Sequence, residues 1–178
     1  MEHLEFFAKA FVTIFIIVDP PGNIPLFISL TDSTSDEERN SISKKATIIG
    51  VVLLLVIAVT GTFILDIFRI TIDGLRIAGG ILLFIVAADI LMGDRRKRKY
   101  VESKDGTIDT DALATFPIAL PLYTGPGAIT AAIVLYSTAG TIPLKALVLV
   151  AIVITYIIVR VTHIFRNQIV RALGRTGS

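Results

Sequence analysis

Apolar residues in this chain run in blocks, and the polar and charged residues gather in the short stretches between them. Five blocks stand out: Leu4–Leu30, Lys45–Ile67, Ile72–Met92, Ala112–Thr138 and Leu144–Phe165. Each reaches or exceeds the ~20 residues that cross roughly 30 Å of hydrocarbon at about 1.5 Å per residue. Stretches such as IIGVVLLLVIAVTGTFIL lack both strand alternation and the single apolar stripe of a soluble helix. The pattern predicts an all-α membrane protein with about five transmembrane helices. The second and third blocks are ordinary in length, whereas the first and fourth are over-long and broken internally by proline and glycine. A cleaved leader is a poor account of the first block, because its apolar run continues through a Pro-rich break.

Composition sharpens this picture. Apolar residues fill 53% of the 178 positions and charged residues only 18%, against about a quarter in soluble domains. Cysteine is absent, which removes disulfides, thiol catalysis and thiolate metal sites. His3 and His163 lie far apart in sequence, and intramembrane acids do not cluster, so enzyme chemistry is not expected. A net charge of +2 does not point to nucleic acid. The run RRKRK at 95–99 reads as a topology anchor in a solvated linker rather than as a nucleic-acid or specific lipid site.

The placement of the charges sets an orientation. Arg39, Lys44 and Lys45 mark the first connection, up to the start of the second block; Arg95, Arg96, Lys97, Arg98, Lys99 and Lys104 follow the third; Arg166, Arg171 and Arg175 follow the fifth. The opposite set holds only Lys9, Arg69 and Lys145. Positive residues stay on the cytoplasmic side. The N-terminus is therefore expected outside, with 31–44, 93–111 and 166–178 in the cytoplasm of a multi-pass cell-membrane protein.

The two broken blocks resemble each other. Asp19-Pro20-Pro21-Gly22-Asn23-Ile24-Pro25 aligns with Thr124-Gly125-Pro126-Gly127-Ala128-Ile129-Thr130, pairing Pro21 with Pro126, Gly22 with Gly127 and Ile24 with Ile129. Each copy interrupts the first membrane segment of its half, and an odd number of spans separates equivalent points. That arrangement predicts an inverted-topology repeat: a first three-helix repeat over 1–92, a basic and polar linker over 93–111, and a second repeat over 112–178.

Proline blocks helix continuation and glycine admits unusual backbone angles, so both breaks should unwind. Unwound backbone survives in a bilayer only inside protein or beside a watery cavity, which implies a shared polar site between the halves. Asn23 is expected to cap a restarting helix with Pro25 in its first turn, and the second restart is expected after Gly127. Helix N-termini suit a carboxylate and free carbonyls suit an ammonium group or metal cation, so the pair of breaks fits a zwitterion such as an amino acid. The candidate substrate and ion site is Asp19, Pro20, Pro21, Gly22, Asn23, Pro25, Thr124, Gly125, Pro126, Gly127 and Thr130. Three roles are open for Asp19: binding a coupling cation such as Na⁺, carrying a proton, or capping the broken backbone. Asp89, one turn from the cytoplasmic end of the third span, is a further candidate. Arg76 can snorkel to the outer interface, and Ala78-Gly79-Gly80 offers a small-residue packing face. A phosphate-binding G-x-x-x-x-G-K-[ST] pattern is absent, which argues against transport driven by this chain's own ATP hydrolysis.

The segments FVTIFIIVDPPGNIPLFISL, IAGGILLFIVAADIL and FPIALPLYTGPGAIT resemble the MarC family, also described as SnatA-type small neutral amino acid transporters. The resemblance covers nearly the whole chain. It implies six helices in two inverted triplets and transport of glycine, alanine and similar amino acids, coupled to Na⁺ or H⁺, with no other cofactor. Matched to the family's motifs, the site candidates are Asp19 to Pro25 and Gly125 to Thr130. Only five spans are found here, so the counterpart of the Ala78-Gly79-Gly80 helix would be a sixth helix absent from this sequence. The expected partners are a small neutral amino acid, membrane lipid and a second copy in a homo-oligomer, with no nucleic acid. An exporter or channel for other small solutes, and a membrane scaffold without transport, are the competing readings. Paired breaks favour alternating access over an open pore, and a scaffold needs no breaks.

Overall fold

The computed structural model describes residues 2–75, 77–78, 80–81, 84, 110–166 and 168, and these contain helices and turns but no strand. In chain order, α1 is Glu2–Val18, α2 is Ile24–Leu30 and α3 is Asp36–Ile67. Helical backbone resumes at Ile72. The fourth block opens as α4, Thr110–Leu113, and widens into a π-helix over Ala114–Tyr123. After a break come α5, Pro126–Thr138, and α6, Ile142–Ile164.

The expected second span begins at Lys45, yet α3 starts at Asp36. A capping box explains the earlier start: the Ser35 hydroxyl accepts from the Glu38 amide at 3.2 Å, and the Glu38 carboxylate accepts from the Ser35 amide at 2.8 Å. Asp36, Glu37 and Glu38 fill the first turn, where negative charge meets the positive end of the helix dipole. The connection expected over 31–44 thus shrinks to a tight turn. Arg39 clasps that turn, donating from Nη2 to the Thr31 carbonyl at 2.7 Å and from Nε to the Thr31 hydroxyl at 3.0 Å.

Residues at four-residue spacing form the packing stripes. On α1 these are Ala10, Ile14 and Val18; on α3, Ala46, Gly50, Leu54 and Ala58; on α6, Val148, Ile152, Tyr156 and His163 join Val159. α1 packs on α5 and α6, and α3 packs on the π-helix, α5 and α6. Alanine and glycine in the stripes let these helices approach closely. The opposite faces are just as apolar: Ile48, Val52, Val56 and Phe63 on α3, and Val150, Ile157 and Val161 on α6, are all exposed. Helices that are apolar all round and buried on one side only are solvated by lipid, not water.

The π-helix has a local cause. Pro117 and Pro121 each lack an amide hydrogen, so two α-helical bonds one turn apart cannot form. The stretch instead closes with longer steps, such as the Thr124 amide to the Ala119 carbonyl at 2.9 Å. Asp89, Arg76, Gly79, the basic run and the rest of the linker up to 109 lie outside the described residues.

Candidate functional site

The first break is closed by its own residues. Asp19 follows α1 in the left-handed region, φ 46°, a conformation that only short polar residues and glycine adopt readily. Its carboxylate Oδ1 accepts from the Gly22 amide at 3.1 Å, which holds the turn. A Cβ on Gly22 would strike that carboxylate, so any side chain there would push Asp19 away from the Gly22 amide. Asn23 does not cap α2 as expected. Its backbone is already helical, and its side-chain amide reaches back to donate to the Val18 carbonyl at 2.8 Å. It therefore satisfies the end of the preceding helix instead of the start of the next. Pro25 sits in the first turn of α2 as expected. Asp19, Pro21, Gly22 and Pro25 are exposed, Asn23 is half-buried, and Pro20 is buried with its carbonyl 3.4 Å from the Thr162 hydroxyl.

The second break is placed differently from expectation. Only Thr124 and Gly125 leave the helix; α5 restarts at Pro126, with Gly125 as its extended N-cap at φ −78°, ψ 174°. Proline suits the first helical position because its missing amide hydrogen would have no partner there, so Pro126 and Gly127 belong to α5. Thr130 turns its hydroxyl to the Pro126 carbonyl at 2.8 Å. Thr124 is fully buried, and its hydroxyl lies 2.6 Å from the Tyr156 hydroxyl and 3.2 Å from the Gly50 carbonyl. This break is pinned to α3 and α6, whereas the first is closed by its own side chains and met by α6 only where Thr162 touches Pro20.

Between the breaks lies a buried polar joint centred on His163, which sequence spacing alone does not reveal. His163 on α6 has no exposed surface. Its Nδ1 lies 2.8 Å from the Ser43 hydroxyl on α3, and its Nε2 lies 2.5 Å from the Tyr123 hydroxyl, one residue before the second break. Phe27, one turn past the first break, stacks on the imidazole with centroids 3.9 Å apart and planes 11° from parallel. Arg160 donates to Ser43 Oγ at 2.7 Å and to Asn40 Oδ1 at 2.5 Å. A neutral imidazole needs one donor and one acceptor partner, and hydroxyls on both sides can serve either tautomer. A sequence signal existed: Tyr156, Arg160 and His163 fall on one face of the fifth span, and polar residues inside a bilayer mark function by default. Their partners on α3 and the π-helix have no such signal.

Among the described residues, His, Cys, Asp and Glu side chains form no group of three that could hold a metal ion. Asp19 brings a single carboxylate to its break, with one oxygen committed to Gly22.

Long helices with apolar outer faces, packed around one buried polar joint, are the build of an integral membrane protein. The chain matches the family described as MarC family integral membrane protein over residues 4–178. It is 54% identical over 176 residues to a UPF0056 membrane protein of Archaeoglobus fulgidus, covering 99% of this chain and 83% of that relative. A UPF0056 membrane protein of Methanocaldococcus jannaschii is 36% identical, covering 98% of this chain and 85% of its own length. One from Aquifex aeolicus is 31% identical, covering 96% and 80% respectively. No solved structure matches the chain. The chain belongs to the MarC family of integral membrane proteins.

Proposed function

We propose that this protein is a secondary transporter of small neutral amino acids of the glycine and alanine type. The substrate would bind between the two interrupted segments, with transport coupled to Na⁺ or H⁺. The observation that carries this reading is the convergence of both breaks on one joint, Phe27 and Tyr123 meeting at His163. A fold that needed only to be inserted would have no use for two disrupted spans and the polar groups they bring into lipid. In this reading 1–92 and 112–178 are inverted repeats, and the N-terminus faces outside.

A small zwitterion suits the surroundings of the second break, where Ala119, Gly125, Ala128 and Ala132 leave little volume and Thr124 and Thr130 supply hydroxyls. Asp19 is the candidate for the coupling ion, although its bond to Gly22 shows that it also holds the turn. The test is counterflow in proteoliposomes preloaded with unlabelled amino acid. Labelled glycine or alanine should accumulate transiently, and large or charged amino acids should not. Absence of counterflow for every neutral amino acid would refute the assignment.

A further inference from the structure

We propose that the end of α6 is the gate that closes the transport path on the side where α3 begins, with His163 as its hub. This rests on the transporter reading above and adds which residues open and close the route. Four side chains at the end of α6 and in the turn after it reach four other parts of the fold. Arg160 holds Asn40 and Ser43 of α3, and Thr162 touches the Pro20 carbonyl in the first break. His163 meets Phe27 of α2, Ser43 of α3 and Tyr123 of the π-helix, and Arg166 pairs with Asp36 at 2.7 Å. All of these lie at the same end of the bundle, because α6 ends where α3 starts. A solute leaving either break toward that end meets this turn.

The chemistry of the contacts suits a closure that must reopen. None belongs to a helix ladder, so all can part together while every helix stays intact. Hydroxyl, imidazole and guanidinium groups exchange protein partners for water at small net cost, unlike interlocked aliphatic side chains. The pinning of Thr124 to Tyr156 and Gly50 lies two turns further along α6, about 10 Å deeper. The second break can therefore stay fixed to its scaffold while the end of α6 swings away.

The test uses the absence of native cysteine. Ala128, buried in the first turn of α5 beyond the second break, becomes a single reporter as Ala128→Cys. A membrane-impermeant thiol reagent is applied from each face of oriented vesicles. Phe27→Ala and His163→Ala should raise the labelling rate at least tenfold from the face bearing the α3 N-terminus and leave the other face unchanged. Ser43→Ala, a milder change, should raise it by a smaller factor if the larger truncations fail to fold. Unchanged rates in folded variants, or equal increases from both faces, would overturn the gate. Labelling that rises in a protein that carries no amino acid keeps the gate and removes the substrate assignment. Counterflow that persists with unmoved labelling removes the gate alone.

Discussion

Replacing Gly50 with alanine sets two opposed effects against each other at one atom. Alanine is the better helix former, by about 1 kcal/mol in a helix interior. The added methyl, however, would sit 2.5 Å from Cε1 of Tyr156 and 3.1 Å from the Thr124 hydroxyl. Carbon atoms rest at roughly 3.5–4.0 Å, so the ring must retreat by about 1 Å or more. Tyr156 is buried and has nowhere free to go. Overpacking of this kind costs about 1–3 kcal/mol, and displacing the ring also strains the Tyr156–Thr124 hydrogen bond, worth about 1 kcal/mol. The propensity gain offsets only the last of these, leaving a net loss of roughly 1–3 kcal/mol. For a chain of this size each kcal/mol shifts the midpoint by roughly 2–4 °C. Thermal unfolding of the purified protein in detergent should therefore show a fall of about 2–12 °C for Gly50→Ala. Gly140→Ala, where a Cβ meets nothing within 4 Å, should stay close to wild type. A Gly50→Ala midpoint at or above wild type would refute the close approach of α3 to the second break.

Other perturbations test separate parts of the molecule. Asp19→Asn keeps an acceptor for the Gly22 amide but removes the charge. If Asp19 carries the coupling ion, gradient-driven uptake should collapse while exchange survives; wild-type uptake would leave it only the turn. Cysteines at Ser103 and Thr141 should label from opposite faces, Ser103 from the cytoplasm; labelling of both from outside would overturn the orientation. The Ser35 amide, and then the Ser35 hydroxyl, hold Glu38 below its ordinary value of 4.5. Its contribution to stability is thus present above that value and is lost as pH falls through the depressed one. Glu38→Gln should flatten that part of the acid limb, and parallel stability–pH profiles for the two proteins would contradict the capping box.

The helical, apolar character and both interruptions were legible, the latter because proline and glycine act locally: DPPGNIP and TGPG cannot continue an α-helix wherever they are placed. Exact edges were less legible. The restart at Pro126 depends on which residue adopts the extended cap, and Gly125 and Gly127 are equally able to do so in sequence. The π-helix follows from Pro117 and Pro121 standing four apart, a spacing that reads as an ordinary kink until the wider turn is seen. Asn23 reads in the sequence as a cap for α2, but an asparagine between two helices can serve either end, and only the Val18 carbonyl decides it. His163 stands far from His3 in sequence, and its partners are hydroxyls 120 and 40 positions away. Such pairings arise from packing, and no spacing rule announces them.

The contrast between the two interruptions bears on how the chain enters the bilayer during synthesis. The bonds that close the turn at Asp19–Asn23 come from Val18, Asp19 and Asn23 themselves, so the turn can form as soon as α2 leaves the ribosome, before Thr162 is made. Thr124 has no such independence: it needs Gly50, made long before, and Tyr156, made after it. Until α6 arrives, its hydroxyl can meet the Gly50 carbonyl but not Tyr156. The second break therefore stays without its α6 contact for the time taken to translate some 30 further residues. At about 5–20 residues per second this is a wait of seconds, during which the apolar surface that α6 will cover stays exposed to other partners.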